Sequence, residues 1–264
     1  MQEISSINNA KIKYLLQLQK KANLRRKTQE FVIEGVREIQ KALHNNYSFK
    51  SLYYCPELFS EELLNKWFQN SHKIEIYAIS RKVYEKIAYR SSTEGIVGIA
   101  QMKNHGFEEL QLSKKPFILV AESIEKPGNI GAILRSVDGA GADALILVNP
   151  IVDLYNPNIV RASLGTIFSN QIVICHTEEL SDFLQKNQIK LFAATLQNSH
   201  LYFKEDYKHA TAIAVGAEDK GLSEEIRKIS HQSVYIPMNG DADSLNVSVA
   251  AAVLLYEVVR QRNV

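Results

Sequence analysis

Cysteine is scarce in this chain of 264 residues: there are two, Cys55 and Cys175, each inside an apolar run. A pair so placed reads as buried free thiols in a reducing compartment, not as a disulfide framework or a thiolate metal site. No run of eighteen or more apolar residues occurs, so no membrane-spanning helix is expected. Residues 1–9 are polar and lack the apolar core of a secretory signal, and a cytoplasmic protein is expected. Seven histidines are scattered without ligand spacing, and no metal site is expected. Internal repeats and low-complexity tracts are lacking too.

Net charge is only +2, so the chain as a whole is no polycation. The charge is uneven, however. Lys11, Lys13, Lys20, Lys21, Arg25, Arg26 and Lys27 follow one another with no acid among them. Such a block is commonly a solvated helix face. Seven cations without one acid favour a contact with an RNA backbone, and Lys20, Lys21, Arg25, Arg26 and Lys27 are its candidates.

Strand and helix patterns alternate along the chain. A helix is expected over residues 5–24, strands over 30–34 and 49–54, and helices over 35–43 and 57–69. A strand at 73–79, a helix at 81–88 capped by Ser80, a polar loop at 90–95 and a strand at 96–102 complete an α/β half. A polar stretch at 106–116 reads as a linker between a domain of residues 1–105 and one of 117–264. The second half alternates again. Its strands are expected at 117–121, 144–148, 171–175, 190–194, 212–215 and 233–236, and helical segments separate them. A mostly parallel sheet covered on both faces is therefore expected, with ligands at the carboxyl ends of its strands.

Three loops after strands carry polar residues beside glycine. The first runs from Glu122 to Gly131 and leads to Arg135. Asn129 is expected to open the helix, and Arg135, flanked by Ile133-Leu134 and Val137, to be partly buried and to need a partner. The second is Gly216-Ala217-Glu218-Asp219-Lys220-Gly221-Leu222-Ser223, which matches neither the dinucleotide fingerprint nor a phosphate loop. The third runs from Ile236-Pro237 to Ser248, where Pro237 stops a strand and Ser244 or Asn246 caps a small, apolar final helix. That helix must bury its faces in a core or against a partner.

In order, Asn129-x-Gly131-x-x-x-Arg135, Gly216-x-Glu218-x-x-Gly221-Leu222-Ser223 and Pro237-Met238-x-Gly240-x-x-x-Ser244-Leu245-Asn246-Val247-Ser248-x-Ala250 resemble three signature motifs. They are those of the SpoU (TrmH-like) RNA 2′-O-ribose methyltransferases, in the SPOUT superfamily. Arg161-Ala162-Ser163 with Gly165 resembles the family's middle segment. Residues 28–102 look like its smaller L30e-like substrate-binding domain. Asp241 and Asp243 make the third loop more acidic than expected beside RNA.

The resemblance implies an α/β fold whose C-terminal domain is a trefoil-knotted parallel sheet, an exception to unknotted topology. It implies S-adenosylmethionine as cofactor, lined by Gly216, Ile236 and Leu245, and a homodimer through the C-terminal domain. It implies catalytic roles for Arg135, Asn129, Glu218, Ser244 and Asn246, with no metal. Ribosomal RNA is expected ahead of transfer RNA as substrate. Two other functions compete. One is a catalytically silent RNA-binding or ribosome-assembly protein of the same fold, against which Arg135, Ser244 and Asn246 speak. The other is a nicotinamide-dependent oxidoreductase, against which the lack of Gly-x-Gly-x-x-Gly speaks.

Overall fold

The computed structural model describes residues 2–68, 74–89 and 94–263. The chain forms two compact units: Met1–Lys103 with Asp153–Phe168, and Asn104–Val152 with Ser169–Val264.

The first unit begins with β1 (Gln2–Ile4), α1 (Ala10–Lys20), α2 (Ala22–Thr28), β2 (Glu30–Glu34), α3 (Val36–His44) and β3 (Phe49–Tyr54). It continues through α4 (Glu61–Phe68), β4 (Glu75–Ile79), α5 (Arg81–Ile87) and β5 (Ile96–Gln101). The strands lie in the order β1-β4-β3-β5-β2, with β5 antiparallel to both its neighbours and the other pairs parallel. Ile12, Leu15 and Leu18 of α1 recur at helical spacing and pack on a core with Tyr53, Val83, Ile87 and Ile99. The expected end of α4 at Gln69, the expected start of β4 at Lys73 and the loop at 90–93 lie outside the described residues.

The helix expected over residues 5–24 is two helices, broken at Lys21, whose backbone is extended (φ −111°, ψ 103°). The break has a partner in Arg25. Its Nη1 donates to the carbonyls of Leu18 (2.6 Å) and Gln19 (3.2 Å). These oxygens, in the last turn of α1, lack helical partners of their own.

The second unit starts with β6 (Phe117–Glu122), α6 (Pro127–Ala140) and β7 (Ala144–Val148). The chain then re-enters the first unit for α7 (Pro157–Ala162) and most of α8 (Thr166–Ser169). There Asp153 accepts from Arg25 Nε at 2.6 Å; the Arg25 side chain is buried and that of Asp153 is 9% exposed. Tyr155 joins Phe31, Tyr47 and Phe168 in a ring cluster, with centroids 4.2 Å apart at Phe31–Tyr155. Arg25 is thus a structural residue, and its expected place in an RNA-binding face is corrected.

The rest of the second unit is β8 (Ile172–Cys175), α9 (Thr177–Lys186), β9 (Lys190–Ala194), β10 (Ser199–Leu201) and β11 (Thr211–Val215). It closes with α10 (Glu224–Ile229), β12 (Gln232–Tyr235) and α11 (Val247–Arg262). Its sheet runs β10-β12-β9-β11-β6-β7-β8, every neighbour parallel. The stretch expected as a linker is part of this unit. Phe107, Leu110 and Leu112 pack against its core, and Phe107 stacks on Phe183 at 4.4 Å. Burial pushes the Cys175 thiol up to about 12, so it stays protonated and unreactive.

Helix α11 packs along α6 and against β11. Its end is bound to the backbone elsewhere. Arg262 donates to the carbonyls of Lys115 (2.8 Å), Pro116 (3.2 Å), Tyr207 (3.1 Å) and His209 (2.5 Å). Gln261 donates to the Glu205 carbonyl and accepts from the Tyr207 amide.

Candidate active site

Parallel strands end together, so the loops leaving β6, β9, β11 and β12 gather at one edge of the sheet. The last three of those loops surround a cavity of about 520 Å³. It is lined by residues 194–197, 215–221, 234–236, Met238 and 243–247, with Ala250 and Leu254 of α11. Gly216, Ile236 and Leu245, the expected cofactor residues, all line it, as do Glu218, Ser244 and Asn246.

The loop after β11 has a shape that only glycine allows at its first position. A Cβ on Gly216 would collide with the backbone of Gly221 and Leu222. The loop returns on itself through an Ala217–Gly221 bridge, with Gly221 at φ +65° and its amide donating to the Ala217 carbonyl at 2.9 Å. The turn leaves Glu218 at the rim.

Glu218 is where the three motifs meet. Asn129 Nδ2 donates to Glu218 Oε1. Asn246 Nδ2 donates to Asn129 Oδ1 at 3.3 Å. Asn246 Oδ1 in turn accepts from the amide (3.0 Å) and hydroxyl (2.7 Å) of Ser248, capping α11 as expected. The donors form a chain pointing from the start of α11 to one carboxylate. Lys126 Nζ stands 3.9 Å from that carboxylate and is otherwise exposed.

Asn129 does not cap α6. Lys126 holds the cap position, Pro127 takes the first turn, and Asn129 lies inside the helix, its side chain used across the site. Ser244 is exposed in the third loop and lines the cavity.

Arg135 stands apart from this chain. It is exposed, has no ion pair or hydrogen bond among the described residues, and does not line the cavity. The expected partial burial is corrected, and helix geometry explains why. The face of α6 turned inward is Ile130, Ile133, Leu134 and Val137. A residue next to Leu134 in sequence is rotated about 100° away from it.

Glu122 and Lys126 were not singled out from sequence. Glu122, the last residue of β6, is buried and accepts from the Ser223 amide at 2.7 Å. Its signal was an acid closing an otherwise apolar strand, Phe117-Ile118-Leu119-Val120-Ala121. Of the expected RNA contacts, Lys20, Lys21, Arg26 and Lys27 are exposed.

Comparison with known proteins gives concordant results. Residues 116–256 match the SpoU rRNA Methylase family, and residues 9–98 match the MRM3-like substrate binding domain. A 23S rRNA (guanosine(2553)-2′-O)-methyltransferase, RlmP of Bacillus subtilis, is 28% identical over 98% of this chain and 99% of its own length. A crystal structure of an RNA 2′-O ribose methyltransferase is 36% identical, with TM-score 0.85, over 99% of this chain and 100% of that one. The SpoU methyltransferase AviRb from Streptomyces viridochromogenes, in complex with the cofactor AdoMet, is 28% identical, with TM-score 0.88. The match covers 97% of this chain and 99% of that one.

Proposed function

The chain belongs to the SpoU rRNA methylase family and has the SPOUT α/β-knot fold with a smaller N-terminal α/β domain, and on that premise we propose its reaction. It methylates a ribose 2′-hydroxyl of RNA, ribosomal RNA ahead of transfer RNA, from S-adenosylmethionine. The observation that carries this reading is the meeting of Asn129, Glu218 and Asn246 at the rim of the cavity. The ribosomal substrate in the name of the Bacillus subtilis relative supports the choice of RNA.

The cavity suits the cofactor. Its volume falls in the usual range for a small-molecule site, roughly 300–1,000 Å³. Val215, Val234, Ala250 and Leu254 offer an apolar floor for a purine, and the folded-back loop at Gly216 offers backbone groups for polar edges. Gly216, Ile236 and Leu245 would hold it. When bound, S-adenosylmethionine supplies a methyl group on a cationic sulfur, ready for attack by an oxygen nucleophile.

The chain's own residues supply position and charge. Holding two reactants in line can be worth roughly 7–11 kcal/mol. Asn129 and Asn246 fix Glu218, and the three with Ser244 orient the ribose. A guanidinium is a poor general base because it stays protonated. Arg135 is therefore assigned to the RNA: it grips a phosphate next to the reacting ribose and stabilises negative charge growing on the 2′-oxygen. Proton removal is shared with that phosphate or water. The lack of any protein partner for Arg135 among the described residues supports this role.

We also assign the active form as a homodimer through the C-terminal domain, acting in the cytoplasm. Leu245, Val249 and Tyr256 are 36%, 47% and 52% exposed, and Val249 and Tyr256 share a face of α11. A second copy would cover that apolar stripe. The two buried free thiols suit a reducing compartment.

Two measurements test the reaction. Titration calorimetry with S-adenosylmethionine should show one site per chain. Mapping of ribose methylation in total RNA from cells with and without the gene should reveal a site lost with it. No binding, or an unchanged methylation map, would reject the reading.

A further inference from the structure

Loop 216–223 is braced at two places. At its start, Gly216 is packed against the backbone of Gly221 and Leu222. At its end, the Ser223 amide donates to Glu122 Oε2 at 2.7 Å, across 101 positions of sequence. Glu122 is 4% exposed and closes a central strand flanked by β7 and β11. Burying a carboxylate there is unfavourable unless hydrogen bonds compensate it. Packing alone would be better served by an apolar residue, as at the five preceding positions.

The bond joins the two segments that make the site. Glu122 opens the stretch that leads to Asn129 on α6, and Ser223 closes the loop that carries Glu218. The Asn129–Glu218 hydrogen bond joins the same two segments at their other ends. Ser223 also accepts from the Ile226 amide at 3.2 Å, so the start of α10 is tied to the same point. Glu122 itself does not line the cavity.

We propose that Glu122 is a positioning residue for the cofactor: it holds loop 216–223 in register with α6, so that Gly216 and Glu218 face the cavity. It touches neither cofactor nor RNA. The inference rests on the reading of this cavity as the S-adenosylmethionine site.

The test compares wild type, Glu122→Gln and Glu122→Met by calorimetric titration with S-adenosylmethionine, alongside the melting temperature of each free protein. Gln keeps a carbonyl acceptor, whereas Met has similar length and only a weakly accepting thioether. Removing the acceptor should weaken cofactor binding about tenfold or more, and Gln should restore it to within about threefold of wild type. Met binding as tightly as wild type, or Gln binding as weakly as Met, would overturn the proposal. Wild type that binds no cofactor would instead overturn the function proposed above. If the Met variant does not fold, Ser223→Pro and Ser223→Ala decide. Both remove the hydroxyl cap, and only Pro removes the amide, at a residue whose φ of −62° suits it. Weaker binding in Pro alone supports the role, and equal binding in the two overturns it.

Discussion

The side-chain amide of Asn129 donates to the carboxylate of Glu218, 89 positions further along the chain. Because Asn246 donates to the other end of the same amide, Asn129 is fixed from both sides. Asn129→Ala should leave the fold and cofactor affinity near wild type. It should lower kcat by about a hundredfold, the scale of a small misplacement at a reacting centre. Single-turnover methyl transfer with saturating cofactor checks this. A kcat within a few fold of wild type would make the contact structural only.

Arg135→Ala should keep the melting temperature and the cofactor affinity, since the exposed guanidinium makes no ion pair or hydrogen bond among the described residues. It should abolish methyl transfer. Arg135→Lys keeps the charge but not the planar fork, and should recover only part of the rate. Near-normal turnover of the Ala variant in the same assay would remove Arg135 from the chemistry.

The exposed cations Lys20, Lys21, Arg26 and Lys27 give a separate prediction. Replacing all four with Ala should weaken RNA binding and leave the melting temperature unchanged. The slope of log affinity against log salt should fall by about one for each cation that meets a phosphate. Binding measured at several salt concentrations reads that slope. An unchanged slope returns the cluster to a solvated helix face.

Arg25 should behave in the opposite way. Arg25→Met leaves Asp153 in the interior without its cation and frees two carbonyls of α1. Breaking a buried pair in this way costs about 3–5 kcal/mol. Urea unfolding of the full chain measures it, and the double variant Arg25→Met/Asp153→Leu should recover much of the loss. A single variant as stable as wild type would contradict the role of this pair.

Arg262→Ala should also destabilise, by at least the ~1.5–3 kcal/mol of one hydrogen bond from a charged donor. Four backbone carbonyls each lose one donor, although those of Pro116, Tyr207 and His209 keep a second from Thr211. Thermal unfolding is the measurement, and no loss would show that the end of α11 is held by packing alone.

Much of this architecture was legible in sequence. Strands β2, β3, β7 and β9 fall on the residues expected of them. Short apolar runs bounded by polar turns are a strong signal when both faces are buried. β1 and β10 were not foreseen. Each has three residues at the edge of a sheet, too few to show a period. The break at Lys21 and the burial of Arg25 were missed for one reason. A cation among cations looks solvated, and the acid that pairs with it lies 128 positions away. The motif residues were legible as a set, yet their contacts were not. That Asn129 crosses to Glu218, while Arg135 on the same helix faces solvent, depends on which side of α6 is buried against α11 and the sheet.

The first unit is written in two places along the chain, residues up to Lys103 and then Asp153–Phe168. A chimera that exchanges only the N-terminal hundred residues with a relative would transplant Arg25, Phe31 and Tyr47 without Asp153, Tyr155 and Phe168. Such a hybrid would inherit half of a lock. The first unit can be moved whole between relatives of this kind only by grafting both segments together, because an exchange of the first segment alone separates Arg25 from Asp153.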